Sequence, residues 1–513
     1  MAITTRRRPP LLSSLPLLPL SLFLLPAPAS AVDWLVKPSL RLRESYTDNA
    51  LRAAPERAQS DFITEIAPAI ALVGNGPRLR VHLDYSWHKF LYARRADTDS
   101  HQLRAAGDAE LVQDWFFVDA AASVSRRNIS PFGPQVIDDL PDTENASTVR
   151  TTSISPYLRH RFRGVATAEL RYTRNAVASG GDLLSVHSDE VELLLAGEPR
   201  GAGWTWNASH DVRRTQDSRL APLRMERRSA GLRYPLSSKW AATASGGMER
   251  EGYASVTGKA PQGRFWSLGT VWTPSPRTSV AFSTGKRYFG HTYSLDANFL
   301  QRHTSWQLSY NENITSLPAQ MQRLGDRDAA KLLDQLWRGI FPNAIDRRLR
   351  IDAFLRYANG LGPELGAINY FSHRYFLQKQ AKLSMARATA KSTVVFGINA
   401  VDRTAQTASG IDSILLPGVE FGSEDRTRQV GTSLGWNWQL SSRSSLNLNA
   451  GYASVRSLSV PRRDGNATVT AGYSRLLQPK VTASIDVRHT RHTSNRGGGY
   501  RENGVSATLN MQF

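Results

Sequence analysis

There is no cysteine among the 513 residues. The chain therefore has no disulfide, no thiolate metal site and no N-terminal cysteine to carry a lipid. Long hydrophobic runs are also missing. Beyond Ala31 nothing is continuously apolar for the roughly 18 residues that a membrane-spanning helix needs, and the mean hydropathy of −0.37 is too low for a helical membrane protein. Acidic residues are in deficit, 44 against 64 Lys and Arg, for a formal charge of +20. Such an excess can mark nucleic-acid binding, but the bases are spread along the whole chain without a recognisable module, and no nucleic-acid partner is expected. Catalytic signatures are lacking too. The sequence has no G-x-S-x-G elbow, H-E-x-x-H helix, phosphate loop or paired-carboxylate motif, and His82, His88, His210, His291, His303, His373, His489 and His492 are scattered. Neither an enzyme nor a cofactor is expected; a Ser/His/Asn site assembled from distant strands, as in barrel phospholipases, is the minor alternative.

What is present is period two. Val505, Ala507, Leu509, Met511 and Phe513 fall on one face of a terminal strand, with Ser506, Thr508, Asn510 and Gln512 on the other. An amphipathic last strand ending on an aromatic residue resembles the assembly signal of bacterial outer-membrane β-barrels, with Leu509, Met511 and Phe513 as its outward residues. A soluble sandwich could also end this way, so the rest of the chain decides. Leu79, Val81, Leu83, Tyr85 and Trp87 alternate with Arg78, Arg80, His82, Asp84, Ser86 and His88. The pattern recurs from Phe116 to Val124, Ala166 to Tyr172, Trp306 to Tyr310, Val394 to Ala400, Leu434 to Leu440, Leu446 to Tyr452 and Val481 to Val487. One face suits lipid and the other water.

The connections alternate as well. Tight turns such as Gly74 to Pro77, Pro235 to Ser238, Ser441-Ser442 and Gln478-Pro479 are rich in Gly, Pro and Ser. Longer polar loops at Thr47 to Ser60, Arg126 to Ser147, Glu251 to Gln262, Thr404 to Asp425 and Arg456 to Arg463 lie between them. Outer-membrane barrels keep short turns and both chain ends in the periplasm and send long loops outside. The fold class expected is all-β, a transmembrane antiparallel barrel of about 22 strands.

One stretch breaks the rhythm. From Leu317 to Gly362 the spacing turns helical, with Leu324, Ala329, Leu332, Leu333, Leu336, Trp337 and Ile340 on one face, and Ile351, Phe354, Leu355 and Ala358 marking a second short helix after Pro342. Strand parity puts this insertion on the extracellular side. Its apolar faces require cover, either from each other as a cap or from the barrel as a lumen plug.

At the other end, Arg6 to Arg8, the apolar Leu11 to Leu25 and Ala29-Ser30-Ala31 read as a signal peptide cleaved before Val32. Strand pattern begins a few residues later, leaving no room for the N-terminal plug domain of a TonB-dependent receptor. Two segments, Glu44-Ser45-Tyr46-Thr47-Asp48-Asn49 and Ser60 through Pro68, resemble the opening hairpin of the outer-membrane barrel family associated with PEP-CTERM and exosortase systems. The resemblance implies an outer-membrane location and an exopolysaccharide setting, and it carries no catalytic residues. Two functions stay open: a pore passing polysaccharide or anionic solutes, or a non-conducting barrel anchoring surface polymer machinery. The lumen-facing candidates are Arg78, Arg80, Asp84, Glu169, Arg171, Asp486 and Arg488, either as solute contacts or as an ion-pair network stiffening the wall. Lumen arginines would favour anions, unless arginine usage only reflects genome composition. Outer-membrane lipid and the barrel assembly machinery are the general partners expected.

Overall fold

In the computed structural model, residues 32–135, 145–180, 184–199, 203–218, 220–256, 258, 260–316, 328–338, 347, 351, 372–408 and 423–513 are described. The expected signal peptide, the 317–327 part of the helical insertion and the second helix apart from Ile351 lie outside them.

Period-two alternation becomes one 22-stranded sheet. The first strands are β1 (Asp33–Thr47), β2 (Asp61–Asn75), β3 (Leu79–Tyr92), β4 (Thr98–Val112), β5 (Phe116–Asn128), β6 (Ala146–Phe162) and β7 (Ala166–Ser179). They continue as β8 (Ser185–Gly197), β9 (Thr205–Asp217), β10 (Leu220–Pro235), β11 (Trp240–Arg250), β12 (Gln262–Ser275), β13 (Thr278–Arg287), β14 (Gly290–Leu300) and β15 (Thr304–Ser316). The last are β16 (Tyr375–Ala388), β17 (Ser392–Ala405), β18 (Arg426–Ser441), β19 (Ser444–Ser457), β20 (Arg463–Gln478), β21 (Val481–Ser494) and β22 (Tyr500–Gln512). Every strand pairs antiparallel with its neighbour in sequence. Closure comes from β1 meeting β22, in register from Ser39 opposite Gln512 to Thr47 opposite Gly504. A closed sheet leaves no unpaired edge, as a lipid-embedded sheet requires.

Strands run from 10 residues in β13 to 17 in β6, and about nine to eleven tilted residues suffice to cross a bilayer. Most ends therefore project beyond it. Both described chain ends lie at one rim, the turn end, where links such as 76–78 and 442–443 are tight; the other rim, the loop end, bears the long connections. Outward positions hold exposed Ile66, Ile70, Leu170, Leu193, Leu268, Ile485 and Val505. Lumen positions alternate with them and are mostly polar or small, with apolar and aromatic exceptions such as Phe117, Val149, Tyr157, Val177 and Val401. Hydroxyls pair across strands along the lumen face, as in Ser123 with Thr151 at 2.7 Å, Ser245 with Ser267 at 2.7 Å and Ser445 with Ser474 at 2.7 Å.

The insertion between β15 and β16 contributes the helix α1 (Asp328–Trp337). Its Leu333 and Trp337, with Ile351, form an apolar cluster with Ala386 and Ala388 of β16 and Val395 of β17. In the register Ala386 stands opposite Val395, on the face opposite to the outward Met385, Val394 and Phe396. That face is the lumen. Ala388 is the last residue of β16, so α1 sits near the turn end although its chain enters from the loop end. From Tyr375 down to Ala386 the strand covers roughly 36 Å at 3.3 Å per residue. The helix α1 is thus seated deep in the barrel, far from the loop end at which β15 finishes and β16 begins.

Candidate functional site

The lumen wall differs from one side to the other. Along β17 every second residue, from Thr393 and Val395 through Asn399, Val401 and Arg403 to Ala405, is buried, as are Thr427, Gln429 and Ser433 of β18. Across the barrel the lumen positions Arg80, Arg104, Ala106, Ala121 and Arg159 are exposed to solvent. Near the turn end the wall from β16 to β18 is covered while the facing wall keeps these side chains open to water; toward the loop end that facing wall is covered too, with His88, Asn175, Val177 and Ser188 buried.

The open wall carries an extended polar cluster near the turn end. Arg159 on β6 donates to Glu169 on β7 at 2.7 Å, Arg171 donates to Glu169 at 3.0 Å, and Arg171 also reaches Asp119 on β5 at 2.7 Å. Phe117 and Tyr157 stack at 5.0 Å on the same face, with the Arg171 guanidinium 3.8 Å from the Tyr157 centroid and that of Arg159 at 5.3 Å. Each arginine is held by a carboxylate and an aromatic face together. The result is a fixed ladder of alternating donors and acceptors, still open to water at Arg159 and Asp119, whose side chains are 46% and 40% exposed.

Of the sequence-derived candidates, Glu169 and Arg171 lie in this ladder. Arg80 pairs with Asp108 at 2.8 Å near the turn end, and Asp84 accepts from His82 at 2.7 Å. Arg78 precedes β3 and bonds to Gln113 at the turn-end rim. Asp486 accepts from Ser484 at 3.2 Å, its carboxylate filling space left by Gly472, where a Cβ would lie 2.0 Å from Oδ1. Arg488 differs from a solute contact: it is buried against Glu502 at 2.6 Å. Leu509, Met511 and Phe513 face outward, and the Phe513 amide donates to Pro38 O at 3.0 Å. Sequence reasoning passed over Phe117 and Tyr157, although two aromatic residues at polar-face positions are a visible break in alternation. Among the described residues no three His, Asp or Glu are placed to hold a metal ion.

The loop end is narrowed by chain that folds inward. Phe132, between β5 and β6, packs on Val455 of β19 beneath the Arg462 guanidinium, and the Gly133 amide donates to Asp464 at 2.7 Å. Arg52, with φ +50°, donates to Gln135 O and to Glu502. A second crossing brings Tyr253 onto Tyr375, stacked at 5.0 Å, and the Val256 amide onto Gln406 O. Before β16, His373 meets Asp217 at 2.7 Å and Arg374 meets Asp425 at 2.8 Å. Burial pushes the Glu251 carboxyl up to about 6, with Arg287 opposing and Glu249 adding to the rise. On α1, burial disfavours the Asp334 charge, but hydrogen bonds from Arg347 at 2.6 Å and Arg338 at 2.9 Å hold its pKa below the ordinary value.

Excess positive charge is not concentrated on the lumen face. At described lumen positions basic and acidic residues are about equal in number, and neighbours such as Arg104 and Asp84 stand opposite in register. The surplus sits on the outward face near the loop end, so the expected anion-drawing lumen is not what these positions form.

No protein-family model and no curated protein matches this chain. Among solved structures it is similar to the FrpB iron transporter of Neisseria meningitidis, at 11% identity over 93% of this chain and 82% of that one, with a TM-score of 0.46. It is also similar to BauA, the ferric preacinetobactin receptor of Acinetobacter baumannii, at 12% identity, 93% and 81% coverage and a TM-score of 0.42. The outer membrane protein OpdK of Pseudomonas aeruginosa gives 7%, 93% and 99%, and 0.34. Values this low say nothing of function, and the barrel rests on the chain's own strand register.

Proposed function

We propose that the protein is a channel of the bacterial outer membrane, turn end in the periplasm and loop end outside, whose passage is narrowed by its own lumenal helix. The observation that carries this reading is the one-sided packing of α1 on Ala386, Ala388 and Val395 while the facing wall from β3 to β10 keeps solvent-exposed polar side chains. A barrel of this size encloses an aqueous lumen unless something fills it. Half-filling leaves a lane lined by the Arg159–Glu169–Arg171–Asp119 ladder.

A lane of near-balanced charge, hydroxyl pairs and ordered guanidinium groups suits a hydroxyl-rich solute that accepts and donates throughout its length. Polysaccharide or its fragments fit that chemistry better than a simple inorganic anion. The resemblance of the opening hairpin to barrels of PEP-CTERM and exosortase systems supports the same choice. The inward-folded loops favour a second reading, a closed barrel that anchors surface polymer machinery. Single-channel recording in a planar bilayer separates them: conductance in the full chain that grows when 317–362 is removed supports the narrowed channel, and silence in both forms supports the anchor.

A further inference from the structure

The outward face carries like charges in direct register, and only near the loop end. Arg428 of β18 stands opposite Arg456 of β19, which stands opposite Arg463 of β20. Arg491 of β21 stands opposite Arg501 of β22. A fourth pairing, Arg214 with Arg224, joins β9 and β10. All are exposed. Directly opposed like charges on neighbouring strands are destabilising, yet the arrangement recurs around the rim, and no basic pair faces outward in register near the turn end among the described residues.

Internal neutralisation accounts for part of it. Asp402 holds Arg428 at 2.7 Å and Glu226 lies 3.6 Å from Arg224. Among the described residues, no acid lies within ion-pair reach of the Arg456, Arg463, Arg491 or Arg501 side chains. Their height is informative. On the same outward faces, Tyr452, Leu448 and Leu446 continue below Arg456 toward the turn end, and Val487 and Ile485 continue below Arg491. These arginines therefore stand just above the apolar belt, at the level of lipid headgroups, where long side chains reach the interface with stems on apolar surface. A guanidinium pair is a bidentate partner for phosphate.

We infer that this collar binds phosphorylated headgroups of the outer-leaflet glycolipid. The phosphate supplies the counter-charge that the sheet itself omits, fixing the depth of the barrel and coupling its loop end to the surface. The inference uses the outer-membrane orientation proposed above but not conduction, so a silent barrel leaves it standing.

The test is thermal unfolding of the purified full chain in a neutral detergent, read by heat-modifiable mobility, with added diphosphoryl lipid A, its dephosphorylated form, or inorganic phosphate at equal phosphate concentration. Diphosphoryl lipid A is expected to raise the unfolding temperature by several degrees, and the other two additions to leave it unchanged. In R456Q/R463Q/R491Q most of that rise is lost, while the lipid-free variant unfolds no earlier than the parent because repulsion has been relieved. The control R387Q/R475Q, near the turn end, keeps the full rise. An equal rise with dephosphorylated lipid, a rise with inorganic phosphate alone, or an unaltered rise in the triple variant overturns the proposal. Should the triple variant not fold, native mass spectrometry of the parent decides: preferential retention of diphosphoryl lipid, reduced by salt, supports it, and equal retention of both lipid forms overturns it.

Discussion

Glu502 accepts from Arg52, Arg488 and Thr47 where water scarcely reaches, with side-chain exposures of 1% for Arg52 and 2% for Glu502. Removing one partner of such a group leaves charges buried and uncompensated, at a cost of about 3–5 kcal/mol. Glu502→Gln is accordingly expected to lower the unfolding temperature and to release the 129–135 loop that Arg52 holds through Gln135; protease cleavage within that loop, measured on folded barrel, should increase. Glu251 acts in the opposite sense. Its carboxyl is raised from 4.5 to about 6 in the folded chain, so the folded state keeps a proton that the unfolded chain releases. The stabilisation it gives is complete below about pH 4.5 and fades as pH rises through about 6. Docking of the Tyr253 loop should loosen over that window, and Glu251→Gln should flatten the response; tyrosine fluorescence followed from about pH 4 to about pH 8, roughly two units either side of the folded value, measures it.

At Gly285 the pairing of β12 and β13 leaves no room for a side chain. A Cβ on Gly285 would lie 2.1 Å from Trp266 O and 2.9 Å from Ser267 Cα, so Gly285→Ala is expected to force the two strands apart and to reduce the yield of heat-modifiable barrel. The helix α1 is held by fewer contacts, chiefly Leu333 and Trp337. Truncating either to Ala removes packing of about 2–5 kcal/mol, and conductance should rise as the helix loses its seat. These elements also mark how far the sequence could be read. Alternation revealed the strands, their number and the helical stretch, because lipid on one side and water on the other force period two. Depth of the insertion was not legible: an apolar helix face demands cover without naming the surface that gives it. The answering surface is the small apolar patch of Ala386, Ala388 and Val395, which other apolar lumen residues such as Val149, Val177, Val401 and Val455 keep from standing out in the pattern. Parity likewise assigned Arg488 to the lumen, but not the Glu502 carboxylate and inward loop that bury it.

Closure of the whole barrel depends on the seam between its first and last strands. β1 meets β2 from Asp33 to Thr47 but meets β22 only from Ser39 onward, and the Phe513 amide bond to Pro38 extends that seam by one contact. Deleting Phe513 removes this bond and the outward aromatic ring together, and folded barrel in the outer membrane is expected to fall while synthesis stays constant; an unaltered heat-modifiable fraction would count against the terminal strand as an assembly signal. Net charge is a property of the same closed wall, and its sign misleads when taken for the chain as a whole. The +20 of the sequence suggests an anion-selective passage, but a permeating ion responds to the lumen face, where ladders such as Arg159–Glu169–Arg171–Asp119 cancel within a few ångströms, well inside the roughly 8 Å over which physiological salt screens charge. Charges on the outward face at the loop end act across the wall on headgroups instead. The reversal potential in a tenfold salt gradient (about the range in which selective channels separate clearly from neutral ones) should therefore lie near zero. Glu169→Gln, which removes the carboxylate partner of Arg159 and leaves Arg171 only its Asp119 partner, should move it in the anion-selective direction; a strongly anion-selective parent channel would instead place the permeation path against some surface other than the β3 to β10 wall.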